Sequence, residues 1–208
     1  MSVIATMPQP VKANRGLLLH LRSSVNFTDN QLFELCVANR ELRIERTAEG
    51  DLIIMPPVGG ETGWRNAELT IALGTWAHQD GIGVVFDSSA GFLLPNGAMR
   101  SPDAAWVRRV RLEKLTPEQK RKFIPLCPDF VVEIRSPTDS LRALQAKMQE
   151  YIANGAALGW LIDPIARRVF VYRPGTPVET QAQPATIMGD PVLPGFVFDL
   201  AGVWETGF

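Results

Sequence analysis

Residues Phe130 to Ile134 read Phe-Val-Val-Glu-Ile, an apolar, β-branched run inside a chain of 208 residues. A short run of this kind is a good central strand. It constrains the rest of the chain, because a central strand needs neighbours on both sides and layers above and below. Ser136-Pro137-Thr138-Asp139 breaks it and caps a helix over about Ser140 to Ala153, which Asn154-Gly155 ends. Leu158 to Ile162 and Arg168 to Tyr172 give two further strands around a turn at Asp163-Pro164.

Upstream, Thr28-Asp29 offers an N-cap for a helix to about Arg40. Leu42 to Thr47 and Asp51 to Met55 pair as a β-hairpin across Glu49-Gly50. A second helix spans about Glu61 to His78, with Glu61, Trp64, Glu68 and Ile71 on one half-buried face. Strands follow at Gly83 to Asp87, Phe92 to Leu94 and within Ser101 to Arg108. Residues 108–122 form a polar, helical insertion with seven Lys or Arg against two Glu, a net +5. The tail from 174 reads as loops and short edge strands. This succession of helices and strands belongs to an α/β sheet layered with helices. Residues 1–27 are expected as a lead-in and 28–208 as one domain.

Composition narrows the chemistry. The net charge of -1 argues against a broadly basic nucleic-acid coat and leaves room for a local patch. Two cysteines, Cys36 and Cys127, rule out a disulfide scaffold and fit a reducing cytoplasm. Two histidines, His20 and His78, exclude a three-His metal site, so the ligands of any metal chemistry must be mainly oxygens, which points to Mg²⁺ or Mn²⁺ over zinc. No stretch approaches the ~18 apolar residues that span a bilayer, and Leu17 to Leu19 is too short and interrupted for an export signal. Walker and dinucleotide glycine patterns are missing. Cys127, ahead of a buried strand, reads as a core cysteine.

Three residues carry the candidate chemistry. Asp103 follows Pro102 at the start of a short strand, Glu133 lies near the end of the central strand, and Lys147 sits on the following helix. Acids on neighbouring strands can hold one divalent ion, with the Ile134 carbonyl as a further oxygen. A nearby lysine can orient or deprotonate a water and stabilise charge on a phosphorus centre. A turn acid is the simpler reading of Asp103 in isolation. Alternation also allows Glu133 a solvated face, and Lys147, which flanks the face of Leu141, Leu144, Met148 and Tyr151, also fits a snorkelling lysine.

On these residues the chain resembles the Uma2 family, a branch of the PD-(D/E)XK nuclease superfamily. The resemblance runs from about Thr28 to Pro174. It rests on the hairpin Leu42 to Pro57, Gly59-Gly60-Glu61, Ser101-Pro102-Asp103, Pro128 to Ile134, Ser136-Pro137, Lys147 to Tyr151 and Gly159 to Pro164. It implies a restriction-endonuclease-like core, a mixed central β-sheet flanked by α-helices, with an N-terminal helix-hairpin extension. It also implies Asp103 and Glu133 as metal-binding acids, Lys147 as the displaced lysine, and Glu61 as the helix acid that completes such sites. Arg135 stands where this family usually has an aliphatic residue, and Thr62 where relatives often have His.

The expected function is therefore a Mg²⁺- or Mn²⁺-dependent endonuclease acting on DNA, working as a homodimer. Arg108, Arg109 and Arg111 of the basic segment, with Arg135, are candidate phosphate contacts; a solvated helix face is the commoner meaning of such a charge run. The alternative is a binding module that kept the fold and lost efficient catalysis, motivated by the near-neutral charge and Arg135.

Overall fold

The computed structural model describes residues 16–21 and 25–207. Its elements, in chain order, are β1 Leu17–Leu19, α1 Asp29–Ala38, β2 Arg43–Arg46, β3 Leu52–Met55, α2 Gly60–Asp80, β4 Gly83–Asp87, β5 Phe92–Leu93, β6 Met99–Arg100 and β7 Ala104–Arg108. There follow α3 Arg109–Leu112, α4 Pro117–Arg121, β8 Phe130–Ile134, α5 Leu141–Ala153, β9 Leu158–Asp163, β10 Arg168–Tyr172, β11 Glu179–Ala182, β12 Thr186–Met188, β13 Val197–Asp199 and α6 Ala201–Trp204.

The main sheet has six strands in the order β11-β10-β9-β8-β7-β4. It is mixed: β8 runs parallel to β9 and antiparallel to β7. The expected central strand is β8, buried along its whole length. Burying each large apolar side chain there contributes about 1.5–3 kcal/mol. Phe130, Val132 and Ile134 face α2 and the tail, where Leu69, Leu73, Phe196 and Trp204 complete one core. Val131 faces the other way, with Ala105, Leu161, Met148 and Tyr151. Glu133 shares the parity of Val131 and so points to the α5 side.

A second, antiparallel sheet, β1-β3-β2-β6-β5, packs α1 through Leu32, Ile44, Leu52 and Met99. In β2, Ile44 and Arg46 share one face and Arg43 and Glu45 the other. Arg46 satisfies itself on the satellite side, donating to the Gly97 and Phe27 carbonyls and to Asp29.

Local signals explain the ends. Thr28 and Gln31 form a capping box on α1, and the Ser140 hydroxyl accepts from the Ala143 amide on α5. Gly50 turns the hairpin at a φ of 94°, a conformation that disfavours side chains. Gly159 on β9 serves a close approach: a Cβ there would lie 2.5 Å from the Met148 Cε of α5.

The structure differs from the sequence expectations in three places. Leu17–Leu19, within the lead-in, pairs antiparallel with β3; three apolar residues carry no period by which a strand could be read. The other lead-in residues, 1–15 and 22–24, lie outside the described residues. The basic insertion is two short helices instead of one, because Thr116 caps a new start at Pro117. On α2 the buried face is Thr62, Arg65, Leu69, Leu73 and Ala77, and Glu61, Glu68 and Ile71 look outward.

Candidate active site

The antiparallel register of β7 and β8 sets Ala104 opposite Val132. Extending it by one residue places Asp103 across from Glu133. Both acids are buried and both line one cleft of about 510 Å³, together with Ile134, Lys147, Arg43 and Glu61. The Ile134 amide donates to Asp103 Oδ2 at 2.8 Å, and Asn66 Nδ2 of α2 donates to Oδ1 at 3.1 Å. Asp103 is thereby oriented by a strand backbone and a helix side chain, and its remaining lone pairs stay available.

Helix α5 delivers the next layer. Lys147, Glu150 and Tyr151 stand at i, i+3 and i+4, on one face. Lys147 Nζ lies 2.7 Å from Glu133 Oε1 and 2.9 Å from Glu45 Oε1. The Tyr151 hydroxyl donates to Glu133 Oε1 at 3.0 Å. Both bonds to Glu133 fall on Oε1, so they leave Oε2 uncommitted. Glu45 also accepts from the Ser101 amide at 2.9 Å and from Arg100, which donates in turn to Glu150 at 2.6 Å. The result is an alternating chain, Glu150–Arg100–Glu45–Lys147–Glu133, buried at Arg100, Glu45 and Glu133 and half-buried at Lys147 and Glu150, joining the second sheet to the main one.

The electrostatics follow from this arrangement. Burial pushes the Glu133 carboxyl up, against the pull of Lys147 and with help from Asp103 and Glu45, to about 7. Burial works against the Lys147 ammonium, but Glu133 and Glu45 outweigh it and hold its pKa above the ordinary lysine value. Glu45 is likewise opposed by burial, yet Lys147 and Arg100 keep its carboxyl below the usual range. Tyr151 is raised well above its usual value, by burial first and then by Glu133 and Glu45, so it remains a phenol donor.

Of the residues singled out from sequence, Asp103, Glu133, Ile134 and Lys147 come together. Glu133 is not on a solvated face, and Lys147 does not snorkel. Glu61 lines the rim of the same cleft, exposed, with its carboxylate 3.3 Å from Arg65. Arg135 turns away: it binds the fully buried Asp163 at 2.9 Å and the Asp139 carbonyl. Arg108 and Arg111 pair with Asp129, and Arg109 donates to the Gly81 carbonyl. These three arginines begin at the far end of β7, about 16 Å from Asp103 at strand rise. Arg43 and Glu45 were missed. Their signal was the shared parity of two charged residues in a hairpin strand.

The donor set fits a hard divalent cation. Two buried carboxylates and a strand backbone offer oxygens, and the buried Asn66 Oδ1 beside Asp103 has no hydrogen-bond partner. Among the described residues no group of three or more His, Cys, Asp or Glu gathers as a ligand cage. A site with two carboxylates and several waters is the habit of Mg²⁺ rather than of zinc.

The mixed sheet, its flanking helices and paired acids at one strand boundary define a restriction-endonuclease-like architecture. The structure resembles that of "a putative nuclease belonging to DUF820" from Anabaena variabilis ATCC 29413, with a TM-score of 0.66 and 22% identity, covering 77% of this chain and 89% of that one. The chain belongs to the Uma2 family, described as "Putative restriction endonuclease", whose model matches residues 29–201. No curated relative matches the chain. Among the described residues no helix is long and apolar enough to cross a membrane.

Proposed function

We propose that the chain is a Mg²⁺- or Mn²⁺-dependent endonuclease that hydrolyses phosphodiester bonds in DNA. The observation that carries this reading is the meeting of Asp103, Glu133 and Lys147 in one cleft from three different elements. Asp103 and Glu133 would hold the ion, with the Ile134 carbonyl as a further oxygen and Glu61 acting from the rim through water. When bound, the ion supplies Lewis acidity and charge neutralisation at the phosphate. Lys147, an ammonium held between Glu133 and Glu45, orients the attacking water and stabilises developing negative charge. That protonated state favours a donor role over a general-base role. Tyr151 fixes Glu133, and Glu45 fixes Lys147 and the Ser101 backbone two residues before Asp103.

The family description supports a nucleic-acid substrate, and two free cysteines, Cys127 buried, support a reducing, cytoplasmic setting. Cutting both strands of a duplex with one such cleft per chain calls for a second copy, so a homodimer is part of the reading. Arg135 was one motive for an inactive binding module, and its commitment to Asp163 removes that motive.

The test is cleavage of plasmid and single-stranded DNA at low salt with Mg²⁺, Mn²⁺ or EDTA. Wild type should cut only with metal, and Asp103→Asn, checked for an unchanged melting temperature, should lose on the order of 10²-fold or more. Equal metal-dependent cleavage by both proteins would sink the assignment.

A further inference from the structure

Among the described residues two cations line the cleft, Lys147 and Arg43. Lys147 is committed to two carboxylates at 2.7 and 2.9 Å. Arg43 is not. Its Nη2 donates to the Ser101 carbonyl at 2.5 Å. Its Nη1 stands 3.6 Å from Asp103 Oδ1, an ion pair beyond hydrogen-bond range. Its Nε is buried with no hydrogen-bond partner. A guanidinium presents five N–H donors in a planar fork, and a buried donor left unpaired calls for an explanation such as an absent ligand.

We propose that Arg43 holds a non-bridging oxygen of the scissile phosphate; this rests on the nuclease reading above. The fork matches phosphate geometry, where a lysine would offer only a point charge. The side chain is 28% exposed and lines the cleft, so it is rooted in β2 yet reaches solvent. Asp103 does not need it as an orienting partner, since Ile134 and Asn66 already serve both carboxylate oxygens. The cleft wall carries four acids, Glu61, Asp103, Glu133 and Asp139, against two cations. An entering phosphate therefore needs a cationic contact beside the acids, and Arg43, with one hydrogen bond from five donors, has more donors to spare than Lys147, with two bonds from three.

The test compares wild type, Arg43→Lys and Arg43→Met, each first shown to melt as wild type does. Mn²⁺ binding alone is measured by calorimetry, single-turnover cleavage is followed in Mn²⁺, and the salt dependence of binding is read with a phosphorothioate DNA oligonucleotide. We expect Arg43→Met to keep Mn²⁺ affinity within about threefold and to lose on the order of 10² in single-turnover rate. The salt slope should fall by about one, and Arg43→Lys should restore the slope but only part of the rate. Wild-type cleavage by Arg43→Met overturns the assignment and leaves the nuclease reading intact. Loss of Mn²⁺ binding in that variant also overturns it, because Arg43 would then act through the acids. A wild-type protein that neither binds Mn²⁺ nor cuts overturns the nuclease reading itself.

Discussion

Replacing Lys147 with Met removes a charge that is only 12% exposed while roughly keeping side-chain volume, so the cavity contribution stays small. Lys147 neutralises two carboxylates, and they are not equally served once it is gone. Glu45 keeps Arg100 at 3.2 Å and the Ser101 amide at 2.9 Å. Glu133 keeps only the Tyr151 hydroxyl at 3.0 Å and still faces Asp103 and Glu45 as like charges. Breaking a buried pair by removing one partner costs ~3–5 kcal/mol. With Glu45 still satisfied, the lower end applies, about 3 kcal/mol at pH 8. For a chain of this size that is about 6–12 °C in melting temperature.

The pH dependence has a definite sign. Glu133's pKa in the fold, about 7, lies above its ordinary 4.5. Such a group favours folding below about 4.5, and that contribution fades as pH rises through the folded value. Lys147 pulls Glu133 down, so without it the window widens upward and the deficit of Lys147→Met grows from pH 5 to pH 8. Adding Glu133→Gln removes the stranded charge and should recover about 2 kcal/mol as coupling. Urea unfolding followed by tryptophan fluorescence reads all four proteins at both pH values. A deficit under about 1 kcal/mol at pH 8, a deficit unchanged with pH, or simple additivity in the double variant would refute the reasoning.

Three further outcomes are expected. Because Glu133 is protonated below about 7, an ion binding there displaces a proton, and calorimetric Mn²⁺ affinity should rise about tenfold per pH unit up to that point and flatten above it; a flat profile from pH 5.5 to 8.5 counts against Glu133 as a ligand. Gly159→Ala sets a methyl against Met148 Cε, and since Met yields more readily than other core residues the loss should be about 1 kcal/mol in chemical denaturation; no loss would show that α5 has slack. Burial pushes the Cys127 thiol up to about 12, so a thiol reagent at pH 8 should modify the half-buried Cys36 first and reach Cys127 only on unfolding.

The elements that were legible in the sequence carry their information locally. Phe130 to Ile134 is apolar but for Glu133, Thr28 and Ser140 are caps, and Asn154-Gly155 ends a helix. Asp103 was legible because it sits at an element boundary and Glu133 because it breaks a local rule, whereas Lys147, mid-helix beside the buried face of α5, was singled out through the family resemblance. Arg43 and Glu45 were not. A strand reading Arg-Ile-Glu-Arg resembles a solvated hairpin edge, and nothing nearby says that its Glu meets a lysine 102 residues away. Arg135 erred in the other direction. It stands two residues from Glu133, but a parallel strand brings Asp163 to it first.

That blindness has a physical source. A core of apolar residues is predicted by pattern because each residue gains from burial alone. Glu45 gains nothing from burial alone; it is tolerated only through Lys147, Arg100 and the Ser101 amide together, and Lys147 only through two acids. Replacing such a cluster with well-packed apolar side chains is often neutral or stabilising by ~1–4 kcal/mol. The fold therefore does not need these five alternating charges to hold together. Of the two buried acids of the cleft, Asp103 is the less neutralised, its nearest cation 3.6 Å away against 2.7 Å at Glu133. The network reaches full pairing at Glu45 and falls short at Asp103 and the uncommitted oxygen of Glu133. That gradient of unmet charge, pointing into the cleft, is what a cation beside a phosphate would complete.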